Sequence, residues 1–321
     1  MTPAIAQQLL FSMKRIRHVE EEISRRYAEQ AMRCPVHLCS GQEAVSAAAG
    51  LALRKDDFAV SGHRAHGHYL GKGGDLRKML AEIYGKKTGC AGGRGGSMHL
   101  IDESVGFKGS TAIVGNTIPV GVGLGYSIKL SGTDQVSCIF LGDGAVETGV
   151  FYESLNFAAV KKLPVLFLCE NNLYSVYSPL NVRQPVGRDI FKLAQAIGVN
   201  ATQGDGNDAA AVYHQIAAAV ADIRAGNGPQ FIEFSVYRWR EHCGPGFDND
   251  IGYRSEQEYL HHRQLEPVQR LQDKLRQENI LLPADIAAFD LAIQEETDAA
   301  FRFAIDSPFP SRTDAFAKIY A

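Results

Sequence analysis

The chain has 321 residues, 45% of them hydrophobic and 21% charged, with a formal net charge of −3. That length allows a sizeable core in one large α/β domain or two modest ones, and the near-neutral balance excludes a global electrostatic footprint for nucleic acid or anionic lipid. No stretch approaches the roughly 18 consecutive apolar residues of a membrane span. Six cysteines, Cys34, Cys39, Cys90, Cys138, Cys169 and Cys243, are scattered without a C-x-x-C pair. Thiols inside apolar runs, such as Cys138 and Cys169, suit a reducing compartment. The N-terminus lacks a basic-then-apolar signal, and Glu20-Glu21-Glu22 is wrong for a transit peptide. The expectation is a cytoplasmic protein.

In chain order, Leu9, Met13, Ile16, Val19, Ile23 and Tyr27 recur at steps of three and four, predicting an amphipathic helix over 5–30. A second helix, rich in small residues (AVSAAAGLAL), is predicted over 40–54. From 89 to 125 glycine dominates, predicting loops and one small-residue helix start. "QVSCIFL" (135–141) and "PVLFLCE" (164–170) read as strands buried on both faces, with a helical step from Phe151 to Lys162 between them. Strand, helix, strand in that order is a βαβ unit with parallel strands. Helices near 189–197 and 208–225, a strand in "QFIEFSVYRW" (230–239) and surface helices from about 255 complete the chain. The predicted fold class is α/β, a mostly parallel sheet with helices on both faces. It is expected as one domain over 1–321, with helical extensions at 1–55 and 255–321.

In a parallel sheet, ligands sit beyond the carboxyl ends of the strands. Gly142-Asp143-Gly144 follows the first buried strand and Asn171-Asn172 the second, so Asp143 and Asn172 can converge. A carboxylate and an amide oxygen form a hard pair suited to Mg²⁺ or Ca²⁺. Backbone N–H groups at the start of the following helix can hold phosphate oxygens. A metal–diphosphate site is one reading; a glycine turn capping a helix is the plainer one. A second Gly-Asp-Gly, at 204–206, follows "VNATQ", which is no buried strand, and reads as a turn and helix cap. His63, His66 and His68 alternate in a way that could mimic a metal site, but the nearby cysteines lack zinc-ligand spacing. "GGRGGSMH" lacks the Gly-Lys-Ser/Thr ending of a P-loop, and "GVGLGY" lacks the last glycine of a dinucleotide fingerprint; His99 reads as structural.

The first copy, with 26 residues between its two tags, matches the thiamin diphosphate fingerprint. With "HLCSGQEA" (37–44), "HRAHGH" (63–68), "GGRGGSMH" (92–99), "IVGNTIPVGVG" (113–123) and "YRWREH" (237–242), the chain resembles the α subunits of the decarboxylating component of 2-oxo acid dehydrogenases. That family includes the pyruvate, branched-chain 2-oxo acid and acetoin enzymes. The resemblance implies thiamin diphosphate and Mg²⁺ as cofactors. Asp143, Asn172 and the Tyr174 carbonyl would be the metal ligands, and Gly144, Ala145 and Arg64 would contact the diphosphate. Val114 would meet the aminopyrimidine through its backbone, and His63 and His242 would lie beside the cofactor. His66, facing substrate, and His242 would be proton donors in catalysis, since histidine titrates near neutral pH.

The resemblance also implies what the chain lacks. The activating glutamate belongs to a separate β subunit, in an α2β2 heterotetramer, and the acyl fragment passes to a lipoyl-bearing acyltransferase. Alternative readings are acetoin cleavage, a transketolase-like transfer, and a catalytically silent scaffold subunit. Two departures stand out: His63 replaces a usual tyrosine, and Cys243 replaces a serine that mitochondrial relatives phosphorylate, so phosphorylation there is not expected.

Overall fold

A computed structural model describes residues 1–317. The chain opens with α1 (Pro3–Arg26), whose first turn is capped by the Thr2 side chain and whose second residue of sequence is followed by a proline at the first helical position. Then come α2 (Glu43–Ala52), β1 (Phe58–Ser61), α3 (His66–Gly71), α4 (Leu76–Ile83), β2 (Phe107–Ser110), α5 (Thr117–Ser131) and β3 (Ser137–Gly142). α6 (Gly149–Lys161) leads to β4 (Val165–Asn171), a small hairpin of β5 (Tyr174–Ser175) and β6 (Ser178–Pro179), and α7 (Leu180–Arg183). The remainder is α8 (Ile190–Ile197), β7 (Asn200–Asp205), α9 (Ala209–Arg224), β8 (Gln230–Ser235), α10 (Glu256–Gln264), α11 (Pro267–Gln277) and α12 (Pro283–Asp306).

Six strands form one sheet in the order β2-β1-β3-β4-β8-β7, and every pairing is parallel. Successive residues of a strand point to opposite faces, and the central strands feed two cores accordingly. Cys138, Phe140, Leu166, Leu168, Ile232 and Phe234 pack on one side with α1, α2, α4 and α9. Ile139, Leu141, Val165, Phe167, Cys169 and Phe231 pack on the other with α5, α6 and α8. The α/β class and the βαβ unit of β3, α6 and β4 are therefore present as expected, and Cys138 and Cys169 are buried free thiols. No helix among the described residues is long and apolar enough to cross a membrane.

Several local expectations change. The first helix stops at Arg26, and Tyr27–Glu29 tighten into a 3₁₀ turn. β1 and β2 fall where no strand was read, because four-residue stretches (FAVS, FKGS) carry too little apolar signal. "VNATQ" is indeed not a buried strand, yet it contributes most of β7, a polar edge strand with Ala201 as its buried side chain. The strand expected over 230–239 ends at Ser235, and the chain continues as buried irregular backbone, with Trp239 N–H donating to the Ser40 carbonyl at 3.0 Å. α12 is also more than a surface helix, since it buries Ile293, Thr297, Ala300, Phe301 and Ala304.

The crossing of α2 and α3 positions the histidine-rich segment. A Cβ at Gly50 would lie 1.8 Å from the Gly71 carbonyl oxygen, and one at Gly71 would lie 2.3 Å from that of Ser46. Ser46 and Gly50 on one helix, and Gly67 and Gly71 on the other, let the two backbones touch. Gly50→Ala is expected to destabilise the fold by about 1–3 kcal/mol through overpacking, read as a lowered urea midpoint by circular dichroism with the slope unchanged.

Candidate functional site

The site lies at the carboxyl ends of β1, β3 and β4. Parallel register sets Gly142 beside Glu170, so Asp143 and Asn172 leave the sheet at the same edge. Around them opens a cleft whose empty space, counted out through its mouth into solvent, is about 960 Å³. His63, Arg64, Val114, Asp143, Gly144, Ala145, Asn172, Tyr174 and His242 all line it.

The turn after β3 differs from the one expected. Asp143–Glu147 form a 3₁₀ turn, and α6 starts only at Gly149. The N–H groups of Gly144 and Ala145 therefore belong to that turn and not to the first turn of the helix. Glycine at 144 keeps this backbone close to the β5–β6 hairpin, since a Cβ there would lie 2.7 Å from Ser175 Oγ.

Asp143 is 1% exposed and pairs with the Arg183 guanidinium, which also reaches Glu147. Burial pushes the Asp143 carboxyl above its ordinary range, and the attraction of Arg183 only partly reverses this. The carboxylate is thus under-compensated where it sits, as suits a site for a divalent cation. Asn172 donates from Nδ2 to Gln42 Oε1 at 3.2 Å, while its Oδ1 accepts from Tyr174 N–H at 3.3 Å. Gln42 thereby holds the amide with its oxygen away from the donor side. The donor set is all oxygen, and it fits Mg²⁺.

Arg64 is buried, donating from Nη1 to the Leu38 carbonyl at 2.5 Å and from Nη2 to the His242 carbonyl at 3.2 Å. Burial and the nearby Arg238 lower its pKa to about 10. On the same side, His37, His63 and His242 pack as a triangle of rings with centroids 4.9, 5.2 and 5.2 Å apart. Burial first, and then the Arg64 guanidinium, lower their pKa values to about 2 for His37, about 3 for His63 and about 4 for His242. These imidazoles are neutral at physiological pH, so His242 offers a neutral N–H and lacks the imidazolium fraction that an ordinary histidine keeps near its pKa of about 6.5.

His66 does not line the cleft. It is fully buried, with Nδ1 2.6 Å from Glu20 Oε1 and Nε2 2.8 Å from Ser97 Oγ. His68 does line it, with Nε2 3.0 Å from Glu170 Oε2 and Nδ1 2.7 Å from Ser61 Oγ, its ring stacked on Phe140. The alternating trio 63, 66 and 68 therefore does not converge, whereas a different trio does. The Gly-Asp-Gly at 204 behaves as a turn: Asp205 Oδ1 accepts from Asn207 N–H at 2.9 Å, and Asp208 caps α9.

A family model described as the dehydrogenase E1 component matches residues 11–312. The chain belongs to the dehydrogenase E1 component family. It is 33% identical to the pyruvate dehydrogenase E1 component subunit alpha of Rickettsia bellii over 95% of this chain and 92% of that protein. It is 33% identical to the mitochondrial E1 alpha subunit of Dictyostelium discoideum, over 96% of this chain and 80% of the relative. The human somatic mitochondrial form is 32% identical over 96% of this chain and 78% of its own length.

In this E1 chain, sequence reasoning missed four residues at the cleft or against it: His37, Gln42, Glu170 and Arg183. His37 and Gln42 lay within a quoted block, but nothing in their spacing distinguished them. Arg183 comes from a short helix past the hairpin, 40 residues beyond its partner Asp143.

The three depressed histidines give a signed pH dependence. Between their folded values and the ordinary value near 6.5, the unfolded chain binds protons that the folded chain does not. Stability is fully present above about pH 6.5 and is lost as pH falls below it. The expected observation is a urea midpoint that declines from pH 7 to pH 5. Histidine ring NMR should show these three rings untitrated across that window.

Proposed function

We propose that this chain is the α subunit of a thiamin diphosphate-dependent 2-oxo acid dehydrogenase acting on a pyruvate-like substrate. The convergence of Asp143 and Asn172 beyond adjacent parallel strands, in a cleft that also holds a buried arginine, is the observation that carries this reading. The relatives named above are pyruvate dehydrogenase subunits, which favours pyruvate-like chemistry over acetoin cleavage.

Thiamin diphosphate, when bound, supplies the electron sink for decarboxylation. This chain's residues would hold and orient it. Asp143, the Asn172 side-chain oxygen and the Tyr174 carbonyl would ligate Mg²⁺, and Arg64 with the N–H groups of Gly144 and Ala145 would hold the diphosphate. A guanidinium suits that task because it presents paired donors and stays charged at a pKa of about 10. Val114 would offer its backbone to the aminopyrimidine, with His63 alongside the cofactor. His242 would donate a neutral N–H to a substrate oxygen. His66 would act indirectly: it holds the Ser97 hydroxyl, which in turn receives the His37 N–H at 3.3 Å. That makes His66 a positioning residue.

A separate β subunit is part of the proposal, most simply in an α2β2 heterotetramer, with a lipoyl-bearing acyltransferase as acceptor of the acyl group. Val120, Tyr126 and Leu130 on α5 and Phe157 and Val160 on α6 are large apolar side chains left exposed on neighbouring helices. Tyr126 and Phe157 meet edge to face at 5.7 Å, which joins the exposed apolar faces of α5 and α6 at that point. Such a patch supports an interaction surface.

Two outcomes test the reading. The chain alone should not oxidise 2-oxo acids in a dye-coupled assay, whereas co-expression with its β subunit should restore pyruvate oxidation; equal rates with and without β would sink the two-subunit reading. Asp143→Ala should weaken Mg²⁺-dependent thiamin diphosphate binding at least about 100-fold by calorimetry. Unchanged binding would remove Asp143 from the metal site.

A further inference from the structure

The last turn of α4 holds a carboxylate that the chemistry of the cleft leaves unused. Glu82 is fully buried there, beside unpaired helix carbonyls that disfavour a negative charge. It takes its partners from the glycine-rich loop that follows. Oε2 accepts from Ala91 N–H at 2.8 Å and from Gly93 N–H at 2.9 Å. Oε1 accepts from Gly95 N–H at 2.6 Å and from Gly96 N–H at 3.3 Å. Four backbone donors thus point at one anion, as in an anion-binding nest, and the occupant is a side chain of the same protein.

The loop needs this carboxylate because residues 89–97 form no helix or strand. Its N–H groups have no ladder to join, and backbone donors left unpaired on folding are costly. Gly93 and Gly96, at φ of +78° and +60°, allow the chain to curl around the anion. The loop then runs straight to the cleft. Ser97 follows Gly96 and is fully buried, with Oγ 2.8 Å from His66 Nε2 and accepting from the His37 N–H at 3.3 Å. Met98, next in the chain, lines the cleft beside His37 and His63.

We propose that Glu82 is a positioning residue: its carboxylate organises the glycine-rich loop and thereby sets Ser97 and Met98 against His37 at the imidazole end of the cleft. Charge matters as well as shape, since hydrogen bonds to an ionised acceptor are roughly twice as strong as neutral ones. Glu20 reaches the same serine from the other side, through His66. Two buried carboxylates, one on α1 and one on α4, therefore fix one hydroxyl. The consequence for catalysis rests on the function proposed above, whereas the hold on the loop does not.

The test is amide hydrogen exchange on the full-length chain, unmutated and as Glu82→Ala. The amides of Ala91, Gly93, Gly95 and Gly96 should be protected in the unmutated chain, although they lie in a partly exposed loop. In Glu82→Ala they should exchange at least about tenfold faster. Formate, which refills the carboxylate position, should restore protection saturably, and formamide, of nearly the same shape without the charge, should not. In the enzyme assembled with its β subunit, the same variant should raise the KM for pyruvate at least about tenfold, reversed by formate, with Mg²⁺–thiamin diphosphate affinity kept within about threefold. Circular dichroism checks folding, and Glu82→Gln, which keeps the shape and removes the charge, takes the place of an alanine variant that does not fold. Unprotected amides in the unmutated chain, unchanged exchange in a folded variant, equal rescue by formamide, or an unchanged KM would overturn the proposal. An unmutated assembly that does not oxidise pyruvate would count against the proposed function alone, because the exchange and rescue results stand without it.

Discussion

The pairing of β3 with β4 is the constraint on which the rest of the site depends. Both strands are buried on both faces, and their side chains alternate strictly between two cores. A slip of one residue would send Phe167 and Leu168 each into the wrong core. It would also move Asn172 by roughly 3.3 Å relative to Asp143, more than the ~2.0–2.1 Å length of a magnesium–oxygen bond. The hydrophobic register that holds the sheet together is therefore the same register that aligns the two polar groups at its edge.

The other wall of the cleft is fixed by polar contacts inside the fold. α1 is amphipathic by its leucines and isoleucines, yet it buries Glu20 completely. An isolated buried carboxylate would be costly, and Glu20 avoids isolation by accepting from the Cys39 N–H and by pairing with His66. His66 continues to Ser97, and Ser97 receives the N–H of His37. One helix thus reaches the cleft through a relay of four residues, held in place by the glycine crossing of α2 and α3.

Long apolar runs made β3, β4 and β8 legible in the sequence, and helical periodicity did the same for α1, α8 and α9. The short strands β1 and β2 and the six-residue helix α3 were not, because local composition hardly distinguishes FAVS or HGHYLG from loop. The site shows the same divide. Asp143 and Asn172 could be read because they follow readable strands. His37, Arg183 and Glu170 take their places from contacts across 40 to 102 residues of chain, and Arg64 reaches Leu38 across 26 residues and His242 across 178. The alternating histidines fail to converge for a related reason. Spacing of two would align side chains on a strand, but His66 and His68 lie on α3, where the same spacing turns them apart.

The cleft that results is divided by charge. At one end Asp143 and Glu147 share a single guanidinium from Arg183, so two carboxylates meet one positive charge in a mostly buried setting. That end draws a further cation, and with it the anion the cation carries. At the other end burial first, then the field of Arg64, joined by Arg238 at His63 and His242, keeps three imidazoles neutral. Arg238 is itself 1% exposed, donating to Tyr253 Oη at 2.9 Å, while its carbonyl is held by Arg254 at 2.6 Å. The positive charge that suppresses protonation is therefore rigid, and the imidazole end keeps the same charge across physiological pH. Hard-ion binding and neutral hydrogen-bond donation need opposite local fields, and the fold supplies both within one cleft by drawing Arg183 at one end, and Arg64 and Arg238 at the other, from different segments.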